Sequence, residues 1–308
     1  MAAVTNVIPT IWSARFTRQI NQLSVMGVLF GRDYQAELRD GNKVTIPTSA
    51  NVVTVGDYTR DTDIAAPNTA TTTTQDLVVD QAKYTHIYVD DLDRVQARPS
   101  LIDRFSRDAA QKIIDGVDTY LAGLHQPATG IDASRIVSVG SGLTKGSAGA
   151  TVLRQIKELR VQMKEANIPD DVTFILILPP RIVNEIDLFL SGLSGTDANA
   201  TGFSYAGITE QTLRNGFFGR ISGFEIFESN NIPFSDSAAN SANNIRTWRC
   251  PVGTTDGAQM VDQFRNVEAY RPERRFGDAI KALYVYGAKV TDRNFAWSFR
   301  IPFPVPTN

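Results

Sequence analysis

The stretch from Ser100 to Gln126 constrains the fold most strongly, because it predicts one long amphipathic helix. Its apolar residues recur at steps of three and four, which is the spacing of a single helical face. At about 1.5 Å per residue the helix would be roughly 40 Å long, well beyond the average globular helix. Pro127 ends it, since proline cannot continue a helix. The residues of the predicted face are Ile102, Phe105, Ala109, Ile113, Val117, Tyr120 and Leu124, widened by Leu101, Ile114 and Leu121.

The patterns after this helix predict a body of mixed α and β structure. Residues 172–178 are a continuous apolar run closed by two prolines, which is typical of a buried central strand. Helical spacing precedes this run at 152–166 and follows it at 182–190. Further segments with strand-like patterns lie at 223–227, 246–250 and 278–301. The predicted fold class is therefore α+β, with an αβα order around the core.

A long hairpin is predicted on the N-terminal side of the helix. Strands are expected at 43–47 and within 77–89. The connecting residues 51–76 include eight threonines and have too few large apolar side chains to build a core of their own. Because an isolated hairpin is only marginally stable in water, we expect this one to lean on a neighbouring copy of the protein.

Composition and charge exclude several functional classes. The 308 residues carry 31 basic and 33 acidic side chains, and the net charge of -2 argues against a whole surface devoted to DNA binding. Cys250 is the only cysteine, so it forms no intrachain disulfide, and we expect it to be buried and inert. No secretion signal is visible, and no run approaches the roughly 20 apolar residues of a membrane span. These features predict a soluble cytosolic product.

The motifs predict no catalytic, metal or cofactor site. The glycine-rich loop at 140–147 lacks the residue order of a nucleotide P-loop and predicts a flexible turn. The aspartates within 90–93 lack the spacing and distal glutamate of a calcium loop, so they predict a solvated turn or charge partners for nearby arginines. His86 and His125 lack the partners of a zinc site or a nucleophilic triad. We expect His125 at a helix end, where a cation is mildly favoured.

Three groups of residues are candidates for contacts between subunits. The first lies on an amphipathic N-terminal segment, which predicts either a helix packed on its own domain or an arm on a neighbour. The second is a basic cluster whose interleaved glutamates favour intersubunit ion pairs over nucleic-acid contact. The third is the charged hairpin tip. In this order, the groups are Trp12 and Phe16; Arg271, Arg274 and Arg275; and Arg60, Asp61 and Asp63.

Several short strings follow one another along the chain in a specific order. They are IPTIWSAR at 8–15, GRDY at 31–34, GNKVTIP at 41–47, DQAKY at 80–84, VDDLD at 89–93, VDTYLAG at 117–123 and YVYGAK at 284–289. No single string is diagnostic, but in this order they resemble the major capsid proteins of tailed bacteriophages. The resemblance covers nearly the whole chain and is strong over residues 8–125 and weak over 191–260.

The resemblance implies a tailed-phage major capsid protein fold with five segments. Residues 1–40 would be an N-terminal arm, and 41–93 an extended β-hairpin loop with its base. Residues 94–134 would belong to a peripheral domain with the long helix as its spine. Residues 135–260 would form the axial domain, and 261–308 would return to the peripheral domain.

The resemblance also implies a function. Copies would assemble as hexamers and pentamers into the icosahedral head shell of a tailed phage, enclosing double-stranded DNA without specific binding. No enzymatic activity and no cofactor are expected. The expected location is the virion, after assembly in the bacterial host cytoplasm. A portal protein is an expected partner, and a decoration protein is left open.

Two departures from some relatives lead to further expectations. Those relatives begin with a scaffolding region that is cut away, whereas this chain reaches its arm directly after Met1, so we expect a separate scaffolding protein. Some relatives also form a covalent crosslink through a lysine on the extended loop. Between Lys43 and Lys83 this loop has no lysine, so we expect mechanical locking by the arm and the loop.

Other interpretations remain open from the residues. An encapsulin-like bacterial compartment shell would share the fold. A β-rich glycan-binding or adhesion module is indicated by the threonine-rich strands and by the sequon at 199–201. An enzyme would need a catalytic set that the sequence does not offer.

Overall fold

A computed structural model describes residues 24–38, 41–49, 55–64, 66, 72–90, 100–126, 131–140, 143–145, 148–168, 172–190, 217–237, 244–274 and 276–305. The helices in these ranges are α1 (Ser100–Leu124), α2 (Ala148–Glu165) and α3 (Pro180–Leu190), with short 3-10 turns at Met26–Leu29, Asp33–Ala36 and Ala133–Arg135. The strands are β1 (Lys43–Ser49), β2 (Thr72–Val78), β3 (Gln81–Asp90), β4 (Ile136–Ser138), β5 (Phe174–Leu178), β6 (Phe217–Ile221), β7 (Phe224–Glu228), β8 (Phe234–Ser237), β9 (Asn244–Gly253), β10 (Ala258–Tyr270), β11 (Gly277–Val290) and β12 (Ala296–Val305). No helix in the described ranges is long and apolar enough to cross a membrane.

The strands divide among three sheets. β1 and β2 form a two-stranded ribbon, and β10, β11 and β3 form a three-stranded sheet in that order. The third sheet has seven strands in the order β4-β12-β9-β5-β7-β6, with β8 paired to β9. It is mixed, because β12 runs parallel to β4 and β5 runs parallel to β7, whereas the other pairs are antiparallel. The end of the chain is therefore shared between two sheets, with β11 in the smaller one and β12 in the larger one.

The predicted long helix is confirmed as α1, which ends at Leu124, two residues before the predicted end. Of its predicted face, Ile113, Ile114, Val117 and Leu121 are buried, and the face extends to Ala110 and Ala122. The side chains of the predicted Leu101, Ile102 and Phe105 lie outside the described ones. Ile114 and Leu121 are almost fully buried, whereas Tyr120 and Leu124 are only partly buried. The reason is that α1 packs against β3 and β11 and also against the turn at Met26–Leu29, so the buried stripe is wide.

The predicted αβα order is confirmed. β5 is buried at every residue, as expected for a central strand. One face of α2 is fully buried, and it consists of Val152, Ile156, Leu159 and Met163. Gly149 lets α2 approach α3 closely, because a side chain at that position would clash with the backbone of Glu185. One continuous core joins the three helices to the two larger sheets.

The predicted hairpin exists, but its second strand is a different one. β1 pairs antiparallel with β2 along its whole length, so residues 72–76 are strand and not part of the tip. β3 leaves the ribbon and pairs with β11. Residues 43–47 were predicted to pair with a strand within 77–89. Only Leu77 and Val78 of that range pair with β1, so the prediction is wrong for the rest of it. Gly287 of β11 permits this change of sheet, because a side chain there would clash with the backbone of Val78.

Candidate intersubunit surfaces

The ribbon is held at its base by polar contacts around Asp76. The Asp76 carboxylate accepts hydrogen bonds from Lys43 Nζ at 3.0 Å and from Thr45 Oγ1 at 2.8 Å, and so links the two strands. The hydrogen bond from Lys43, followed by that from Thr45, holds the pKa of Asp76 below its usual value. Lys289 of β11 donates from Nζ to the backbone carbonyl of Asp76 at 3.0 Å. These contacts tie the ribbon to the three-stranded sheet.

A small apolar cluster supports the other face of the ribbon base. Alternation along β1 and β2 turns apolar residues to this face and the polar contacts to the opposite one. The buried members of the cluster are Val44, Ile46, Leu77 and Val261, and Tyr34 and Leu38 pack against them. The base is therefore fixed on both faces, by polar contacts on one and by apolar packing on the other.

The far end of the ribbon carries apolar side chains that remain in water. Every described residue from 55 to 64 is exposed. Val55 is 95% exposed, Tyr58 77% and Ile64 81%. Three large apolar side chains exposed within ten residues are more than an ordinary surface segment carries, and such exposure is typical of surfaces that a partner covers. We refer to residues 55–64 as the ribbon tip.

The structure places the three predicted charged residues together in the ribbon tip. Arg60, Asp61 and Asp63 are all exposed. Asp61 has a φ of 65°, a left-handed conformation that aspartate tolerates better than most residues. The Thr62 N–H donates to the Thr59 carbonyl at 3.3 Å and closes a turn. The turn presents the charged groups to solvent.

A second exposed surface lies on the outer face of the three-stranded sheet. In the strand register, Lys281 of β11 stands opposite both His86 of β3 and Glu268 of β10. His86 Nε2 and Tyr270 Oη are 3.0 Å apart, and the two rings are stacked. These residues and the exposed Tyr84 line a groove of about 390 Å³, which we call the aromatic groove.

A close ion pair crosses the aromatic groove. Lys281 Nζ lies 2.6 Å from a carboxylate oxygen of Glu268 and 5.5 Å from the centre of the Tyr270 ring. The hydrogen bond to Glu268 raises the pKa of Lys281. Both side chains are about half exposed, so the pair adds little to the stability of the subunit. Its main effect is to fix a defined pattern of charge on the sheet face.

The predicted basic cluster lies at the turn between β10 and β11. Arg271 and Arg274 are exposed beside Phe276, whose side chain is 82% exposed. Tyr88 Oη donates to the Phe276 carbonyl at 2.8 Å and fixes the turn against β3. The cluster therefore adjoins the Tyr270 end of the aromatic groove. Arg275 lies outside the described residues, as do Trp12 and Phe16.

His125 and Cys250 are both buried. Most of the predicted turn at 90–93 and parts of the glycine-rich loop at 140–147 lie outside the described residues. His125 directly follows the last residue of α1, as predicted, but it is 1% exposed and burial lowers its pKa to about 4, so the predicted preference for a cation there is wrong. Cys250 is buried as predicted, and burial raises the pKa of its thiol, which disfavours reaction. Within the described ranges, no three His, Cys, Asp or Glu side chains come together as a metal site.

Sequence reasoning missed the aromatic groove. The signal was present, because Tyr84, His86 and Tyr88 alternate along one predicted strand. Alternation alone does not tell which face of a strand is exposed. The partners Glu268 and Lys281 lie far away in the sequence, and only the pairing of β3 with β11 and β10 brings them to His86.

Comparison with protein families and solved structures gives a consistent result. A family model described as phage capsid protein matches residues 70–298. A search of curated proteins found no match. A structure from Mycobacterium phage Che8 is 26% identical, with a TM-score of 0.64, over 90% of each chain. The capsid of Ralstonia phage GP4 is 14% identical, with a TM-score of 0.67, over 93% of each chain. A virus-like particle from Pyrococcus furiosus is 11% identical, with a TM-score of 0.55, over 95% of this chain and 99% of the other.

Proposed function

The chain belongs to the phage capsid protein family and is a major capsid protein, the coat subunit of an icosahedral phage shell, and from this premise we propose that its ribbon tip docks on a neighbouring copy. The observation that carries the proposal is the contrast between the two ends of the ribbon. The base is fixed by the Asp76 contacts and by the apolar cluster, whereas the tip leaves Val55, Tyr58 and Ile64 in water. A fixed base lowers the entropy that docking would cost.

The aromatic groove and the adjoining arginines are the surface that we propose for the neighbour's tip. The tip carries three aspartates and one arginine, Asp57, Asp61, Asp63 and Arg60. Arg271 and Arg274 would complement this negative charge, and the exposed rings of Tyr84 and Phe276 would cover its apolar side chains. Trp12 and Phe16 would add a second contact through the N-terminal arm, as expected from the sequence.

The finer features of assembly follow from the same premise. Copies would form hexamers and pentamers that close the head of a tailed phage around double-stranded DNA, in the host cytoplasm and then in the virion. A separate scaffolding protein and a portal protein would be partners, and a decoration protein remains open. A near-balanced net charge suits a shell that encloses DNA without binding it tightly, because each phosphate neutralised by a Lys or Arg side chain would add salt-dependent affinity. The subunit would catalyse no reaction.

We propose the same five segments that the sequence predicts, except that β12 belongs to the axial sheet. Residues 1–40 would be the arm, 41–93 the extended loop, 94–134 part of the peripheral domain and 135–260 the axial domain. Residues 261–290 would return to the peripheral domain, whereas β12 would close the axial sheet, because it pairs with β4 and β9.

Electron microscopy of the protein co-expressed with its neighbouring genes tests the function. Regular closed shells are the expected result, and only monomers under these conditions would contradict it. The tip contact is tested by Arg60→Glu, which should lower the yield of shells. Lys145→Glu is the matched control, because Lys145 is also an exposed basic residue in a turn but belongs to neither surface. Equal shell yields from the two variants would count against the tip contact and leave the function standing.

The encapsulin-like alternative has less support. The likeness to the Pyrococcus furiosus particle is at 11% identity and shows the fold alone. A neighbouring gene for a cargo enzyme, in place of portal and terminase genes, would favour it.

A further inference from the structure

A buried carboxylate on α1 holds the start of the described N-terminal segment. Asp118 is 2% exposed. It accepts hydrogen bonds from Ser24 Oγ at 2.6 Å and from the Val25 N–H at 3.2 Å. Ser24 Oγ in turn accepts a hydrogen bond from the Gly27 N–H at 3.0 Å. Asp118 therefore ties α1 to the turn at Met26–Leu29, directly after residues 1–23.

The other end of this segment is held by amide side chains on β10. Gln35 donates from Nε2 to the Asp262 carbonyl at 2.5 Å and accepts from the Asp262 N–H at 3.0 Å. Gln259 likewise accepts from the Asp33 N–H at 3.3 Å and donates to the Asp33 carboxylate at 2.9 Å. The glutamine amides do not titrate. The segment thus has one attachment through the buried carboxylate of Asp118 and another in which glutamine amides bond to the backbone and to the exposed carboxylate of Asp33.

The surroundings of Asp118 disfavour its charge. Burial raises its pKa to about 6, and the hydrogen bonds from Ser24 and from the backbone oppose this effect only in part. Asp115 on the same helix adds repulsion. From the neighbouring elements, Tyr284 and Asp80 act electrostatically on Tyr286, as do Tyr120 of α1 and Asp118 itself. On another side, the aliphatic part of Lys83 lies against Gly116.

From this geometry we propose that Asp118 is a proton-linked latch that closes the joint between α1 and residues 24–26 more tightly at acidic than at neutral pH. When the joint opens, water reaches the carboxylate and its pKa falls toward 3.8. The closed joint therefore binds a proton more tightly than the open one, and by linkage protons favour closure. At neutral pH Asp118 is mostly ionised, and its burial then favours opening.

The latch would control where the N-terminal arm leaves the subunit. This role rests on the proposed function, in which residues 1–40 form the arm, whereas the latch itself rests on the described contacts. The attachment at Gln35 and Gln259 would stay closed throughout, so opening would be confined to residues 24–29, where the Val25 and Gly27 amides bond to Asp118 and Ser24.

Hydrogen exchange of the full chain tests the latch. The opening equilibrium constant at residues 24–29, corrected for intrinsic exchange, should rise about tenfold between pH 5 and pH 7.5. The reason is that the pKa of Asp118 is about 6 in the closed joint and falls toward 3.8 in the open one. Residues 31–38 should show no such rise. Asp118→Asn should abolish the pH dependence at 24–29. Asp108→Asn, an exposed residue on the same helix, should preserve it.

A second variant keeps the test decisive if Asp118→Asn fails to fold. Ser24→Ala removes one hydrogen bond to the carboxylate, so protection at residues 24–29 should fall at every pH while the pH dependence persists. Equal protection at pH 5 and pH 7.5 in the wild type would overturn the proposal. So would an equal rise at residues 31–38, since it would mean that the whole segment opens as one unit. None of these readouts requires shells, so failure of the latch is distinct from failure of the proposed function.

Discussion

His125→Gln should make the folded subunit gain stability on acidification, relative to the wild type. His125 is buried against Phe30, with ring centres 5.6 Å apart in an edge-to-face arrangement, and burial lowers its pKa to about 4 from 6.5. The unfolded chain takes up a proton below pH 6.5, but the folded chain does so only near pH 4. Stability therefore falls as the pH drops through this window. The loss is about 3 kcal/mol when complete and about 2 kcal/mol between pH 7 and pH 5.

Asp118 acts in the opposite direction over nearly the same window. Burial raises its pKa to about 6 from 3.8, so the folded state binds the proton first. Its contribution to stability is fully present below pH 3.8 and is lost as the pH rises through 6. Between pH 7 and pH 5 this amounts to a gain of about 1 kcal/mol. In the wild type the two buried groups therefore largely cancel, and only the variants reveal them.

Denaturant unfolding of free full-length subunits at pH 7 and pH 5 provides the assay. The quantity compared is the change in unfolding free energy from pH 7 to pH 5. Relative to the wild type, this change should be about 2 kcal/mol more positive in His125→Gln and about 1 kcal/mol more negative in Asp118→Asn. Shifts of the same sign in His125→Gln and Asp118→Asn would refute the argument from burial.

Three further predictions concern the core. Gly287→Ala should destabilise the subunit by several kcal/mol, because the new side chain would clash with the backbone of Val78. Gly123→Ala on α1 should be neutral or slightly stabilising, because the space around Gly123 is open. Thermal unfolding measures both effects. Leu176→Ala in the fully buried β5 should cost about 2 to 5 kcal/mol in the same assay, and a cost below 1 kcal/mol would contradict the central position of that strand. Cys250 should resist a thiol reagent until denaturant is added, since it is buried and its thiol pKa is raised; mass spectrometry detects the label.

Much of the fold was predictable from local patterns, because the large core uses them regularly. The 3.6-residue spacing located α1 and α2, and the apolar run at 172–178 located β5. The exchange of strands at Val79 and Asp80 was not predictable. Apolar residues continue on both sides of that corner, so the run reads as one strand. What separates β2 from β3 is the pairing with β1 and β11, and β11 lies about 200 residues further along the chain.

The candidate surfaces were predictable only as groups of charge. Arg60, Asp61 and Asp63 stood out because a polar tip flanked by strands needs a partner. Asp118 left a weaker signal, a carboxylate between Ile114 and Leu121 on an apolar helix face. Its importance depends on Ser24, which meets it across 94 residues of sequence. His125 gave a misleading signal, because burial of its ring disfavours the charged form more than a helix end favours it.

The exposure of the ribbon tip has a consequence for how copies associate. Burying Val55, Tyr58 or Ile64 in full would contribute only about 1.5 to 3 kcal/mol each, whereas association costs at least about 4 kcal/mol in lost freedom and up to 15 or more. A single tip in a single neighbour would therefore give a weak complex. In a closed ring every subunit both offers a tip and receives one. The subunit that closes the ring therefore forms two contacts but loses its translational and rotational freedom only once. Free subunits should accordingly stay apart at concentrations at which complete rings, once formed, persist. Sedimentation that showed stable dimers in place of either monomers or closed assemblies would contradict this reasoning.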